Sequence, residues 1–105
     1  PVVHPPVATS KPIDYSNKDV LLIRLDNIGA IEYGFGKGTD QRLTRLTNSD
    51  TARFGTIIKE LITGKSGYEI IVKGNNDAKY ENFKRVIDAL KANNLFKFQM
   101  ITEKD

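Results

Sequence analysis

The sequence predicts an α+β domain with the order β-β-α-β-α-β, in which two helices pack on one face of a mixed sheet. Apolar residues alternate along four short segments, as they do in strands with one buried face. In two longer segments they recur every three or four residues, as they do in amphipathic helices. The length of 105 residues is enough for one domain.

The four prolines all lie within the first 17 residues. Proline fixes φ and has no backbone N–H, so residues 1–18 are predicted to be an extended linker and residues 19–105 the folded domain. The valines in this linker also allow a second interpretation, in which it is an arm that adds a strand to a sheet edge. The chain begins at Pro1 rather than at methionine. We therefore expect an excised fragment, from which an upstream membrane segment could have been removed.

Residues 19–26 and 30–35 are predicted to form a β-hairpin. The turn between them contains Gly29, which tolerates positive φ. Alternation places Leu21, Ile23 and Leu25 on one face of the first strand. The second strand places three apolar residues on one face: Ile31, Tyr33 and Phe35.

Residues 36–50 form a polar loop, in which the spacing of Leu43 and Leu46 allows a short helical turn. A helix is predicted over residues 51–63, with Ser49 or Asp50 as its N-cap and Gly64 just beyond its end. Its apolar stripe comprises Phe54, Ile57, Ile58, Leu61 and Ile62.

A strand over residues 68–73, a helix over residues 80–93 and a strand over residues 96–102 complete the domain. Asp77 is the predicted cap of this second helix. The helix is predicted to bury Tyr80, Phe83, Val86, Ile87 and Leu90. The last strand is predicted to place Phe96, Phe98 and Met100 toward the core and Lys97 and Gln99 opposite them.

The other face of the predicted sheet carries Val20, Leu22, Ile71 and Ile101 among polar neighbours. Aliphatic side chains on an uncovered face are unfavourable in water. Either the predicted strand phases are wrong, or a homodimer or a segment of a partner covers this face or its edge.

The residue types give little support for catalysis or for a bound cofactor. The chain has no cysteine, and its one histidine, His4, lies in the linker without acidic neighbours, so no metal site is predicted. The segment GFGKGT at residues 34–39 lacks the spacing of a phosphate-binding loop. The carboxylates are scattered rather than paired, whereas acid–base catalysis needs two in one cleft. The chain is therefore predicted not to be an enzyme and to bind no cofactor.

A net charge of +3 is too small to indicate nucleic acid without a clustered basic patch. Proteins that bind single-stranded nucleic acid usually stack bases on exposed aromatic residues. Here Phe35, Tyr68 and Phe98 are predicted to face the core, so no nucleic-acid partner is expected. No apolar run approaches the roughly 20 residues of a membrane helix.

Two segments resemble the periplasmic domain of the ExbD/TolR family. They are residues 71–80 (IVKGNNDAKY) and residues 86–91 (VIDALK), which look like that family's strand end, acidic turn and following helix. Residues 22–26 (LIRLD) and 30–32 (AIE) resemble its opening hairpin. The resemblance runs from about Asp19 to Glu103. Asn75, where the family often has aspartate, and the long loop before Asp50 depart from the pattern.

The resemblance implies an ExbD-like accessory subunit of an inner-membrane motor driven by the proton motive force. Such subunits pair as homodimers inside a ring of ExbB-like channel subunits, which they contact through a membrane helix absent from this sequence. The domain would lie at the periplasmic face of the bacterial inner membrane and pass energy to TonB for outer-membrane transport. The alternative is a TolR-like subunit of the Tol–Pal system that binds peptidoglycan.

Within that framework, strand addition is the predicted mode of partner binding. The predicted partner-binding residues are Val2, Val3, Pro6 and Val7 in the arm and Lys97, Phe98, Gln99, Met100 and Ile101 in the last strand. For the TolR-like alternative, the predicted polymer contacts are Arg42, Arg45 and Lys91.

Overall fold

A computed structural model describes residues 14–38 and 41–103 of the chain. The described strands form one five-stranded sheet in the order β3-β2-β1-β4-β5. The strands are β1 (Asp19–Leu25), β2 (Ile31–Lys37), β3 (Thr44–Arg45), β4 (Glu69–Asn75) and β5 (Gln99–Glu103). The helices are α1 (Phe54–Ile62), which follows a 3₁₀ helix at Asn48–Arg53, and α2 (Tyr80–Ala92). The predicted α+β class and element order are confirmed, with β3 as an additional short strand.

The sheet is mixed because β1 pairs differently with its two neighbours. β1 and β2 form the predicted antiparallel hairpin, whereas β1 pairs in parallel with β4, and β4 in parallel with β5. The connection from β4 through α2 to β5 therefore joins parallel neighbours. The connection through α1 joins β3 to β4, which run parallel because β3 is antiparallel to β2 and β2 is antiparallel to β1. The handedness rule for parallel crossovers thus applies to both connections, although β2 and β1 lie between the two strands that α1 joins.

The main core lies between the sheet and both helices, as predicted from strand alternation. Leu21 and Ile23 of β1 are completely buried there, together with Val72 of β4. α1 contributes Phe54 and Ile58. α2 contributes four buried residues: Phe83, Val86, Ala89 and Leu90.

A close approach in this core explains one glycine. The ring of Phe83 lies directly against Gly74 of β4, and a Cβ at that position would overlap the ring. Glycine is therefore needed here because α2 sits so close to the sheet.

The opposite, helix-free face has a smaller core of its own. Val20, Leu22 and Ile71 are no more than 3% exposed there, and Tyr15 packs with them. Leu43 contacts the same cluster from the loop before β3. The chain itself thus covers much of the face that was expected to need a partner. Ile101, at 36% exposed, is the exception.

The segment before β3 lies across β2 because β2 has glycines at the point of contact. A Cβ at Gly34 would lie 2.6 Å from the carbonyl oxygen of Arg42. The side-chain amide of Gln41 donates to the carbonyl oxygens of Gly36 and Gly38, at 3.2 and 2.5 Å. These contacts fix the segment in a region that was predicted to be a polar loop.

The helix starts differ from the predictions. α1 begins at Phe54, after the 3₁₀ turn, and its N-cap is Arg53 rather than Ser49 or Asp50. α2 is preceded by Lys79 as N-cap, while the backbone N–H of Asp77 donates to the side chain of Asn75. Neither helix has a side-chain cap. The prediction for Gly64 is confirmed, with φ of 77°.

Candidate functional site

The candidate site is the outer edge of β5. Among the described strands, β5 is last in the sheet order and pairs only with β4. The other edge, β3, is only two residues long. An unpaired strand edge carries free backbone donors and acceptors to which another extended segment can bind. The five residues of β5 make it the longer of the two edges.

The structure divides the predicted pairing residues into two groups. Gln99, Met100 and Ile101 lie in β5, whereas Lys97 and Phe98 precede it, because the strand begins three residues later than predicted. Met100 is buried and Phe98 is half-buried against the main core, as predicted. Phe96 was wrongly predicted to be in the core and is 66% exposed.

The late start of β5 follows from the way α2 ends. Asn94 has a left-handed backbone, with φ of 58°, which turns the chain away from the helix axis. The side-chain amide of Asn93 donates to the carbonyl oxygens of Gly55 and Ala89, at 2.8 and 2.9 Å. The N–H of Leu95 donates to Leu90. The chain therefore needs residues 95–98 to return to the sheet.

The far end of β5 is held by charged side chains on the helix-free face. Glu103 lies 3.0 Å from Arg24 Nη2 of β1 and 3.9 Å from Lys73 Nζ of β4. Arg24 and Lys73 are direct neighbours in the parallel register, so the carboxylate separates two like charges. Each pair is partly exposed and therefore weak alone.

The middle of β5 is tied to the segment that precedes β1. The Tyr15 hydroxyl donates to Gln99 Oε1 at 2.9 Å. Burial raises the pKa of the Tyr15 phenol above its ordinary value of 10.0, and the nearby Glu69 carboxylate raises this pKa further. Sequence reasoning missed Tyr15, which falls inside the predicted linker. The available signal was a large aromatic residue four positions before the first strand.

The predicted polymer-binding residues do not form one patch. Arg42 precedes β3 and Arg45 lies within it, paired in register with Glu32. Arg45 Nη2 is 4.0 Å from Asp26 Oδ2. Lys91 lies on α2, on the other side of the sheet. The structure thus keeps Arg42 and Arg45 together and separates them from Lys91.

Val2, Val3, Pro6 and Val7 lie outside the described residues, as do His4 and most of the predicted linker. Within residues 14–38 and 41–103, no group of three or more acidic, histidine or cysteine residues could hold a metal ion. No helix in the same residues is long and apolar enough to cross a membrane.

A mixed sheet with helices on one side and an edge strand of five residues among the described strands defines a class of small α+β modules. Within that class, the chain belongs to the ExbD/TolR family of biopolymer transport proteins, whose pattern matches residues 2–105. The sequence resemblance is thereby confirmed over nearly the whole chain. A comparison with curated proteins finds no match.

Proposed function

We propose that this chain is the periplasmic domain of an ExbD-like accessory subunit. In this proposal it belongs to a proton-driven motor of the bacterial inner membrane and passes energy to a TonB-like protein. The domain acts by binding rather than by catalysis. Family membership supports a transport role. Among the described strands β5 pairs only with β4, and this position at the edge of the sheet is the observation that carries the proposed mode of binding.

Strand addition at β5 fits the geometry for two reasons. The strand is already held in register by β4 on its inner side, so an incoming segment meets an ordered row of backbone groups. Its side chains alternate between the main core, where Met100 is buried, and the helix-free face, where Ile101 is accessible. A partner strand would bring its own side chains beside Gln99 and Ile101 on that face.

Amide hydrogen exchange, followed residue by residue on the ¹⁵N-labelled chain, tests this proposal. A peptide from the periplasmic segment of a TonB protein should slow exchange of those amides in residues 100–103 that are not bonded to β4. The matched control is the same peptide with alternate backbone nitrogens methylated, which removes its donors but keeps its side chains. Equal protection by both peptides, or no change in β5, would show that strand addition is wrong.

The proposed partners also include a second copy of the chain and, through a membrane helix outside this sequence, an ExbB-like channel subunit. The arm at residues 1–13 is the segment to test for dimer formation. Light scattering should compare residues 1–105 with residues 14–105, because the shorter chain keeps Tyr15 on its cluster. A dimer that weakens in the shorter chain supports an arm that pairs strands between copies. Equal masses for both chains would contradict it.

A TolR-like role in binding peptidoglycan is the alternative. Its support is the pair Arg42 and Arg45, which are both exposed near the β3 edge. Lys91 lies on the other side of the sheet, and the ion pair with Asp26 partly neutralises Arg45. Co-sedimentation with purified cell-wall sacculi that is lost in the double variant R42E/R45E would favour this role over the ExbD-like one.

A further inference from the structure

A second surface feature, separate from the β5 edge, is a groove. It lies between the end of α1, the start of β4 and the connection from α2 to β5. Its first half is a cavity of about 400 Å³ lined by Tyr68, Ile70, Asn94, Leu95, Phe96 and Lys97. Its second half, of about 480 Å³, adds Lys59, Thr63 and Lys65. Tyr68, Asn94 and Leu95 line both halves. We call the continuous depression the Tyr68 groove.

The walls of the Tyr68 groove are held in place before any ligand arrives. The ring of Tyr68 packs edge-on against Phe35, with centroids 5.6 Å apart. The Lys65 ammonium lies 5.1 Å above the same Phe35 ring. The Asn93 and Leu95 hydrogen bonds fix the opposite wall. A groove that is already ordered loses less entropy on binding than one that must form.

The two halves of the groove differ in chemistry. The first is lined mainly by apolar and aromatic residues, and its volume falls within the roughly 300–1,000 Å³ typical of ligand pockets. These residues are Tyr68, Ile70, Leu95 and Phe96. Phe96 leaves two thirds of its surface in water at the rim, which is unfavourable for so large an apolar side chain. This half is suited to one bulky apolar group.

The charge around the groove has one sign. Lys59 and Lys65 line the second half, and Lys97 lines the first. No carboxylate lines either half among the described residues. Lysines on both sides of an apolar cavity attract anionic groups that flank an apolar one. The ligand that complements the groove is therefore negatively charged on both sides of a bulky apolar side chain.

We propose that the Tyr68 groove is the docking site for an acidic protein segment that carries one bulky apolar side chain. The apolar side chain fills the space between Tyr68 and Phe96, and acidic residues on either side lie near Lys65 and Lys97. A chain segment fits better than a compact small molecule because the groove is open and continues through Lys97 toward β5. This recognition uses side chains and is independent of strand addition at β5.

Chemical-shift titration of the ¹⁵N-labelled chain of residues 1–105 tests the proposal. The probe is a capped seven-residue peptide with one tryptophan between two groups of three glutamates. Saturable shifts are expected at the amides of Tyr68, Asn94, Leu95 and Phe96. Replacing the tryptophan by alanine should weaken binding about tenfold, because most of the buried apolar area is lost. Replacing the glutamates by lysines should abolish binding.

Variants of the protein separate the two halves of the groove. F96A should lower the affinity for the acidic peptide about tenfold, and K65E should lower it about fivefold. The matched control R85E makes the same charge change on an exposed part of α2 and should leave the affinity unchanged. All three positions are exposed, and unaltered spectra away from the substitution confirm the fold.

Three comparisons of binding strength would overturn the proposal. They are equal affinity for the tryptophan and alanine peptides, equal affinity for the acidic and basic peptides, and an effect of R85E as large as that of K65E. Chemical-shift changes limited to Gln99–Glu103 would also contradict the groove as the binding site, while remaining consistent with strand addition at β5. Binding of the acidic peptide in the groove without protection of β5 would support the groove, and strand addition would still be decided by its own peptide.

Discussion

The hydroxyl of Tyr15 and the side-chain oxygen of Gln99 are joined by a 2.9 Å hydrogen bond across 84 positions of sequence. The bond connects the segment before the central strand β1 with the edge strand β5. Beneath it, the Tyr15 ring covers Val20, Leu22 and Ile71 on the helix-free face. One side chain therefore closes a second small core and braces the candidate site.

The first prediction separates the two roles of Tyr15. Y15F removes only the hydrogen bond and should lower the free energy of unfolding by about 1 kcal/mol. Y15A also removes the ring from the cluster and should lower it by about 3–4 kcal/mol. Urea denaturation measures both values. Y80A is the control, because Tyr80 is 47% exposed, and should change stability by less than about 0.5 kcal/mol. Equal effects of Y15A and Y80A would contradict the assigned packing.

The second prediction concerns stability at alkaline pH. The folded protein raises the pKa of the Tyr15 phenol, so it holds the phenolic proton more tightly than the unfolded chain does. This contribution is fully present below the unfolded pKa of about 10 and is lost as pH rises through the higher folded value. The free energy of unfolding, measured from pH 8 to 11.5, should therefore fall more steeply in the native protein than in Y15F. If the free energy of unfolding fell equally with pH in both proteins, the raised pKa of the Tyr15 phenol would be contradicted.

Two glycine-to-alanine substitutions are expected to change the stability of the fold in opposite directions. G74A forces a Cβ into the Phe83 ring and should destabilise the protein by about 2–3 kcal/mol, as overpacking does. G55A places its Cβ 3.8 Å from Ala92 in a helix, and should stabilise by about 0.5 kcal/mol. Thermal denaturation gives both signs. In the double variant G74A/F83L the smaller side chain should recover part of the loss due to G74A. Full additivity would mean that the two sites are not in contact.

The left-handed turn after α2 gives the fourth prediction. Asn94 has φ of 58°, a conformation that asparagine tolerates better than alanine does and glycine tolerates best. N94A should therefore destabilise by about 1 kcal/mol, whereas N94G should be neutral or slightly stabilising. The ranking by chemical denaturation checks this. If N94A were as stable as N94G, the backbone conformation at residue 94 would be wrong.

Strand faces were predictable from sequence because alternation directly reports which side chains share a face. It placed Leu21, Ile23 and Leu25 correctly, and the stripe through Phe83, Val86 and Leu90 did the same for α2. Tyr80, at the start of the same stripe, was wrongly predicted to be buried and is 47% exposed. Spacing misled in the loop before α1. Leu43 and Leu46 are three apart, which suggested a helical turn. In extended chain the same spacing puts the two side chains on opposite faces of the sheet. Leu46 packs against the main core and Leu43 against the smaller core of the helix-free face.

The candidate site was only partly predictable, because its details depend on contacts between distant residues. Nothing local to Tyr15 shows that it pairs with Gln99, and proline-rich surroundings favoured a linker. The exposure of Phe96 depends on the turn at Asn94, which delays the strand. The sign of the charge around the Tyr68 groove appears only when the ends of α1 and α2 are brought together.

The parallel arrangement of β1, β4 and β5 has a mechanical consequence. The described chain enters the sheet at the start of β1 and leaves it at the end of β5, at opposite ends of parallel strands. Tension between these two points runs along the strands and shears the backbone hydrogen bonds of both pairings together, instead of peeling them apart one by one. We expect a high rupture force in single-molecule pulling from residues 14 and 103, and a lower one when the handles pull β5 sideways from β4. The Tyr15–Gln99 bond crosses the same strands and adds to the resistance along that axis.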